Sequence, residues 1–119
     1  MGRESDAMIN RQERKYRRFD LECPVFVRYQ ANHSASEVYA ISQNVSIGGL
    51  LMMSASMIPD QTPVTFIIKV RADTAKSPIY LAGEGEIVRV ERNQDNRTFA
   101  IAVVCRTPII RLEEYSPSV

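Results

Sequence analysis

The feature that most restricts the fold is a run of strict alternation between residues 19 and 30. Phe19, Leu21, Cys23, Val25, Val27 and Tyr29 alternate with Asp20, Glu22, Pro24, Phe26, Arg28 and Gln30. A period of two sends successive side chains to opposite faces of an extended chain, so the stretch predicts a half-buried β-strand. Pro24 has no backbone N–H to give to a ladder, which suits the start or an edge of that strand better than its middle. Related patterns recur at 38–45 and, after the chain break of Gly48-Gly49, at 50–53. Val64, Phe66, Ile68 and Val70 alternate with Thr65, Ile67, Lys69 and Arg71, predicting a fourth strand. Residues 79–91 and 97–105 predict a fifth and a sixth, separated by the turn Asn93-Gln94-Asp95-Asn96. In the fifth the apolar phase changes around Gly83 and Gly85, which predicts a bulge or a tight bend there. Pro108 suits the first position of a short helix through Glu114, capped by Thr107.

Six short strands punctuated by turns and followed by one short helix predict an all-β antiparallel barrel or sandwich. A closed barrel would also remove the exposed edges through which small sheets aggregate. At 119 residues the chain can bury a real core without disulfides or metal. No apolar run approaches the ~18–20 residues needed to cross a bilayer, and the first twelve residues contain no apolar signal segment. The expectation is therefore a cytoplasmic protein without membrane insertion, whose Asn32, Asn44 and Asn96 sequons stay unglycosylated. Cys23 and Cys105 are the only cysteines and both fall in apolar alternation, as small buried hydrophobes do. Whether they pair is left open by the sequence. His33 is the sole histidine and falls in the polar stretch 30–36, so no metal site is expected.

The charge is unevenly spread. The chain totals +1, but residues 1–18 hold six basic and three acidic groups, and residues 19–119 nine basic and eleven acidic. A +3 segment thus precedes a −2 body. Taken alone, such a run is a solvated basic tail. Its composition also suits an anion-binding arm, because Arg14-Lys15-Tyr16-Arg17-Arg18 places an R-x-x-x-R directly before the first strand. The second strand is followed by Asn44-Val45-Ser46-Ile47-Gly48-Gly49, an N-x-S-x-x-G. Alone, this string is also what a hairpin corner needs, with Asn and Gly supplying positive φ and Ser46 a local turn bond.

Together and in this order, the two motifs resemble those of the PilZ domain family, bacterial receptors for cyclic di-GMP. The resemblance covers about residues 11–115, with 1–10 a flexible tail and 116–119 a C-terminal tail. It includes Phe19, Gly85-Glu86-Ile87-Val88-Arg89-Val90, and Phe99-Ala100-Ile101-Ala102-Val103. Ala100 and Ala102 stand where the family often has Gly. The resemblance implies a six-stranded antiparallel β-barrel with a flexible basic N-terminal arm and a short C-terminal helix.

It also implies a site. Arg14 and Arg18 would take the phosphates and guanine Hoogsteen edges, since a planar guanidinium grips either with two parallel hydrogen bonds and can stack on a purine. Asn44 would read the other guanine edge, with a neutral acceptor where a carboxylate would be charge-assisted. Ser46 would hold a phosphate or order the turn, and Gly49 would let the backbone approach without a Cβ. Arg17, Arg11 and Gly48 are candidates for additional contacts. The expected function is a non-enzymatic receptor that binds cyclic di-GMP and signals to an effector protein by ordering the arm. No cofactor or metal is implied.

Three other functions compete. A PilZ-like adaptor in pilus or motility machinery would keep the fold and dispense with the nucleotide, but such adaptors typically have eroded motifs and both are intact here. A barrel for single-stranded nucleic acid needs a basic groove with aromatic platforms, whereas this chain has no Trp and a net acidic body, so no specific nucleic acid is expected. An enzyme is disfavoured: one histidine permits no second triad, and neither G-x-S-x-G nor G-x-x-x-x-G-K occurs.

Overall fold

The structure, a computed structural model, describes residues 19–71 and 77–112. The basic arm with Arg11, Arg14, Arg17 and Arg18 therefore lies outside the described residues, as do Glu113 and Glu114. Seven strands follow in order: β1 Pro24–Ala31, β2 Ser34–Ser46, β3 Gly49–Ser54, β4 Pro63–Val70, β5 Ile79–Arg92, β6 Phe99–Cys105 and β7 Ile110–Arg111. They pair antiparallel in the order β4-β1-β2-β3-β6-β5, and β4 pairs with β5 to close a six-stranded barrel. The two-residue β7 lies along β5.

The alternation read from the sequence sets the inside of the barrel. Val25, Val27, Val38, Ala40, Val64, Phe66, Ile68, Ile87, Ile101 and Val103 point inward and form one buried cluster with Met52, Leu50 and Ile58. Directly paired residues share a face, so the register builds the core in rows. One row runs Val38–Val27–Phe66–Gly83 across four strands. Its glycine is required by packing: a Cβ at Gly83 would stand 2.5 Å from the buried Phe66 ring.

β1 begins at Pro24, five residues later than the alternation starts. Residues 19–23 keep the phase, with Cys23 buried, but make only one bridge, Phe19 to Val45. Ser42, wholly buried on β2, holds their backbone instead: its Oγ accepts from Cys23 N at 3.0 Å and donates to the Leu21 carbonyl. The β1–β2 turn is Asn32-His33, both at positive φ, which places the sole histidine in an exposed hairpin tip. Both cysteines are free thiols, Cys23 buried and Cys105 half-buried.

Two expectations need correction. The irregularity of β5 does not lie at Gly83 or Gly85, which pair in continuous register with Phe66 and Val64. It lies at Val88, the extra residue between Ile87 and Arg89 opposite β6. The sequence suggested glycines because they interrupt the apolar pattern, whereas both are there for close approach: a Cβ at Gly85 would meet the Val104 carbonyl at 2.2 Å. The second correction concerns the helix placed at 108–114. Ile110–Arg111 are extended, pairing with Ala82 and Leu81. Above Gly85 the β5 edge has no β6 partner, so its free backbone groups capture the segment, and this tertiary pairing outweighs the Pro108 start signal.

Candidate functional site

A second bulge, which the sequence did not reveal, shapes the motif that begins in the last residues of β2. The β2–β3 register shifts between Ser42 and Asn44, leaving Gln43 unpaired. Val38, Ala40 and Ser42 point inward at a spacing of two, and simple continuation would send Asn44 into the core. The extra residue reverses the phase: Val45 is buried, and Asn44 and Ser46 turn outward as half-exposed polar groups. The bulge thus keeps two uncompensated polar side chains out of the barrel and offers them to solvent.

The turn itself is Ile47-Gly48, closed by the pair Ser46–Gly49. Positive φ among the described residues is confined to Asn32, His33, Gln61 and Asn96, and no described glycine has it. The asparagine and the two glycines are therefore not serving as left-handed turn residues. At Gly49 the constraint is contact, since a Cβ would stand 2.3 Å from the Val103 carbonyl on β6. Ser46 Oγ makes a long contact of 3.4 Å with the Gly49 carbonyl, which leaves most of its hydrogen-bonding capacity unused within the turn.

Two cross-strand rows define the outer surface around the motif. Asn44 continues through Leu51 and Ala102 to Arg89, and Ser46 through Gly49 and Val104 to Glu86. Three strand spacings put Asn44 and Arg89 about 14 Å apart along one face. Arg89 faces outward because the Val88 bulge reverses the phase of β5, as Gln43 does on β2. Neither the sequence motif nor the alternation marked Arg89 as part of this face, because the bulge becomes visible only from the pairing with β6. Ile47 and Val104 add exposed apolar surface, both about half accessible.

The root of the arm is fixed here. Phe19 N donates to the Val45 carbonyl and Val45 N to the Phe19 carbonyl, each at 2.8 Å. Phe19 is 49% exposed, and this pair of backbone hydrogen bonds fastens it to β2. The chain therefore enters the described structure opposite Val45, between Asn44 and Ser46. Of the residues proposed from the motifs, the structure brings Asn44, Ser46, Gly48 and Gly49 together on one turn, while the arginines of the arm fall outside the described residues.

A large groove lies elsewhere. It measures about 770 Å³ and lies on the outer face of β1, β2, β4 and β5, where Phe26, Tyr39 and Ile67 line it without any residue of 44–49. Among the described residues no cluster of His, Cys, Asp and Glu could hold a metal, and no helix is long and apolar enough to cross a membrane.

Comparison with known proteins agrees with this architecture. Bacillus subtilis MotI (DgrA), an inhibitor of motility, superposes with a TM-score of 0.63 at 18% identity, over 80% of this chain and 43% of its own. The chain thus spans less than half the length of that protein. The PilZ domain of Escherichia coli YcgR, solved with c-di-GMP, aligns at 14% identity and a TM-score of 0.45, covering 91% of this chain and 83% of its own. No curated protein sequence matches the chain. The PilZ domain family model matches residues 12–114, the whole barrel together with most of the arm. The chain belongs to the PilZ domain family.

Proposed function

We propose that the protein is a non-enzymatic receptor for cyclic di-GMP, which it binds between the R-x-x-x-R arm and the outward face of the Asn44–Gly49 turn. The observation that carries this reading is the double hydrogen bond between Phe19 and Val45. It ties the residue after Arg18 to the strand that presents Asn44 and Ser46. Adjacent Cα atoms are about 3.8 Å apart, so Arg18 starts within one residue of the turn, and Arg14 within about 17 Å of Phe19 even if fully extended. Both guanidiniums are within reach of one small ligand lying over the turn.

The chemistry is complementary. Two phosphates of the ligand call for forked, permanent cations, which Arg14 and Arg18 supply, and its guanines call for edge readers, which Asn44 and the arginines supply. Ser46 donates to the Gly49 carbonyl over a long 3.4 Å, a bond its hydroxyl would exchange for a phosphate oxygen. Arg89 closes the far side of the same face as a further candidate contact, and Arg11, Arg17 and Gly48 remain secondary candidates. Neutralising the arm would let it settle on the barrel, and that ordering is the signal offered to an effector protein. Titration calorimetry with purified protein is the test. Binding that is largely lost in Arg14→Ala and in Arg18→Ala supports the reading, and no heat at saturating cyclic di-GMP overturns it.

A further inference from the structure

The segment after β6 is bonded to two places that are otherwise separate. On one side it holds the Ile47-Gly48 turn: Cys105 N donates to the Gly48 carbonyl at 2.8 Å and Ile109 N to the Ile47 carbonyl at 2.9 Å. On the other it completes the β5 edge, with Arg106 N on the Glu84 carbonyl at 3.0 Å and Leu112 N on the Tyr80 carbonyl at 2.8 Å. Between these lies the pairing of Ile110 and Arg111 with Ala82 and Leu81. Thr107, Pro108 and Ile110 form one wall of the large outer groove, opposite Phe26 and Tyr39.

A two-residue strand is too short to be stable alone. Ile110 is 58% exposed, so little apolar burial anchors the strand itself, and Ile109, half-buried against the core, is its nearest apolar anchor. The bond that Ile109 makes to the turn is thus one of the anchors of β7, beside the Arg106 and Leu112 bonds to β5. We propose that residues 106–112 form a strap that transmits the state of the Ile47-Gly48 turn to the wall of the outer groove. The inference rests on the preceding one in naming cyclic di-GMP as what fixes the turn. A ligand seated on Ser46–Gly49 narrows the motion of the Ile47 and Gly48 carbonyls, which strengthens the strap's bonds and tightens β7 on β5. By linkage, loosening the strap weakens ligand binding by the same factor.

Amide hydrogen exchange on the full chain tests the strap in two arms. In the first, Ile109→Pro removes the donor to Ile47. Exchange at Leu112, whose N–H donates to Tyr80 on β5 and not to the turn, is expected to accelerate at least fivefold, with β1 and β4 unchanged as a control for folding. Unchanged protection at Leu112 overturns the strap. In the second arm the wild-type chain is compared with and without saturating cyclic di-GMP, with occupancy measured calorimetrically on the same sample. Slowing of exchange across 106–112 by about threefold or more supports the proposal. Binding heat with no change in that segment overturns the strap and leaves the receptor reading intact. Absence of heat overturns the receptor reading and the ligand-driven half of this proposal together, while the Ile109→Pro arm still decides whether turn and groove are coupled.

Discussion

The two outer faces of the barrel are built differently. On the face of β1, β2 and β4 the pleat is regular, and it presents large side chains: Phe26 and Tyr39 stack edge-on with ring centroids 5.3 Å apart. The face of β2, β3 and β6 is interrupted by the Gln43 bulge, with a second at Val88 on β5, and it presents Asn44, Ser46, Gly49, Ala102 and Arg89. The regular face carries the large groove, with the Arg28–Glu37 ion pair in its lining, and the irregular one presents the polar groups of the motif. The difference teaches that groove volume and ligand chemistry need not coincide. A regular pleat makes concavity from bulky residues, whereas a bulge re-aims a few polar ones without digging a cavity.

Removing the arm's arginines and, separately, the groove's aromatics tests which face takes the ligand. Arg14→Ala or Arg18→Ala is expected to weaken cyclic di-GMP binding more than a hundredfold, about 3 kcal/mol or more, without lowering the melting temperature. Phe26→Ala on the other face should leave the calorimetric titration unchanged. Equal losses from both would place the ligand in the groove.

Next come three changes that separate the faces by stability. Gly85→Ala forces a Cβ to within 2.2 Å of the Val104 carbonyl and 2.9 Å of the Cys105 Cα, so backbone must shift where β5 meets β6. A loss of about 3 kcal/mol in denaturant unfolding is expected. Ser42→Ala strands the Cys23 N–H and the Leu21 carbonyl that the buried hydroxyl now satisfies. It should cost about 2 kcal/mol. Because residues 19–23 lead to the arm, it should also weaken nucleotide binding, whereas Gly83→Ala, on the groove side, should lower stability and spare affinity per folded molecule.

A smaller effect sharpens the reading of the turn. Asn44→Asp offers a charged acceptor to guanine donors and is expected to tighten binding about fivefold, close to 1 kcal/mol. Weaker binding would mean that Asn44 donates through its amide instead. The smallest effect is confined to alkaline pH. Burial pushes the Cys105 thiol up to about 11. A folded pKa above the unfolded value stabilises the fold below pH ~9, and that contribution is lost as pH rises through 11. At pH 8 its alkylation should run about a hundredfold slower than that of a free thiol, with no change in ligand affinity.

Much of the barrel was legible in the chain because alternation is a local property. Val25, Val27, Val64, Phe66 and Ile68 read as one face from spacing alone, and each is buried. The two motifs were legible for the same reason, being short strings with a distinctive order. The bulges were not. Gln43 and Val88 have no special composition, and they are extra residues only relative to β3 and β6. Gly83 and Gly85 drew attention instead, since a missing side chain is visible in a sequence and an unpaired residue is not. The helix expected at 108–114 failed in the same way over the described residues, because the free edge of β5 that captures Ile110 and Arg111 exists only once the barrel has closed.

By itself, then, the sequence determined which residues alternate, where the chain turns and that an arginine-rich arm precedes a barrel, since these depend on neighbours along the chain. The fold alone put Asn44, Ser46 and Arg89 on one outward face, bonded Phe19 opposite Val45 between the first two, and paired Ile110 and Arg111 with β5. Those outcomes depend on inter-strand register, where one inserted residue sends every following side chain to the opposite face.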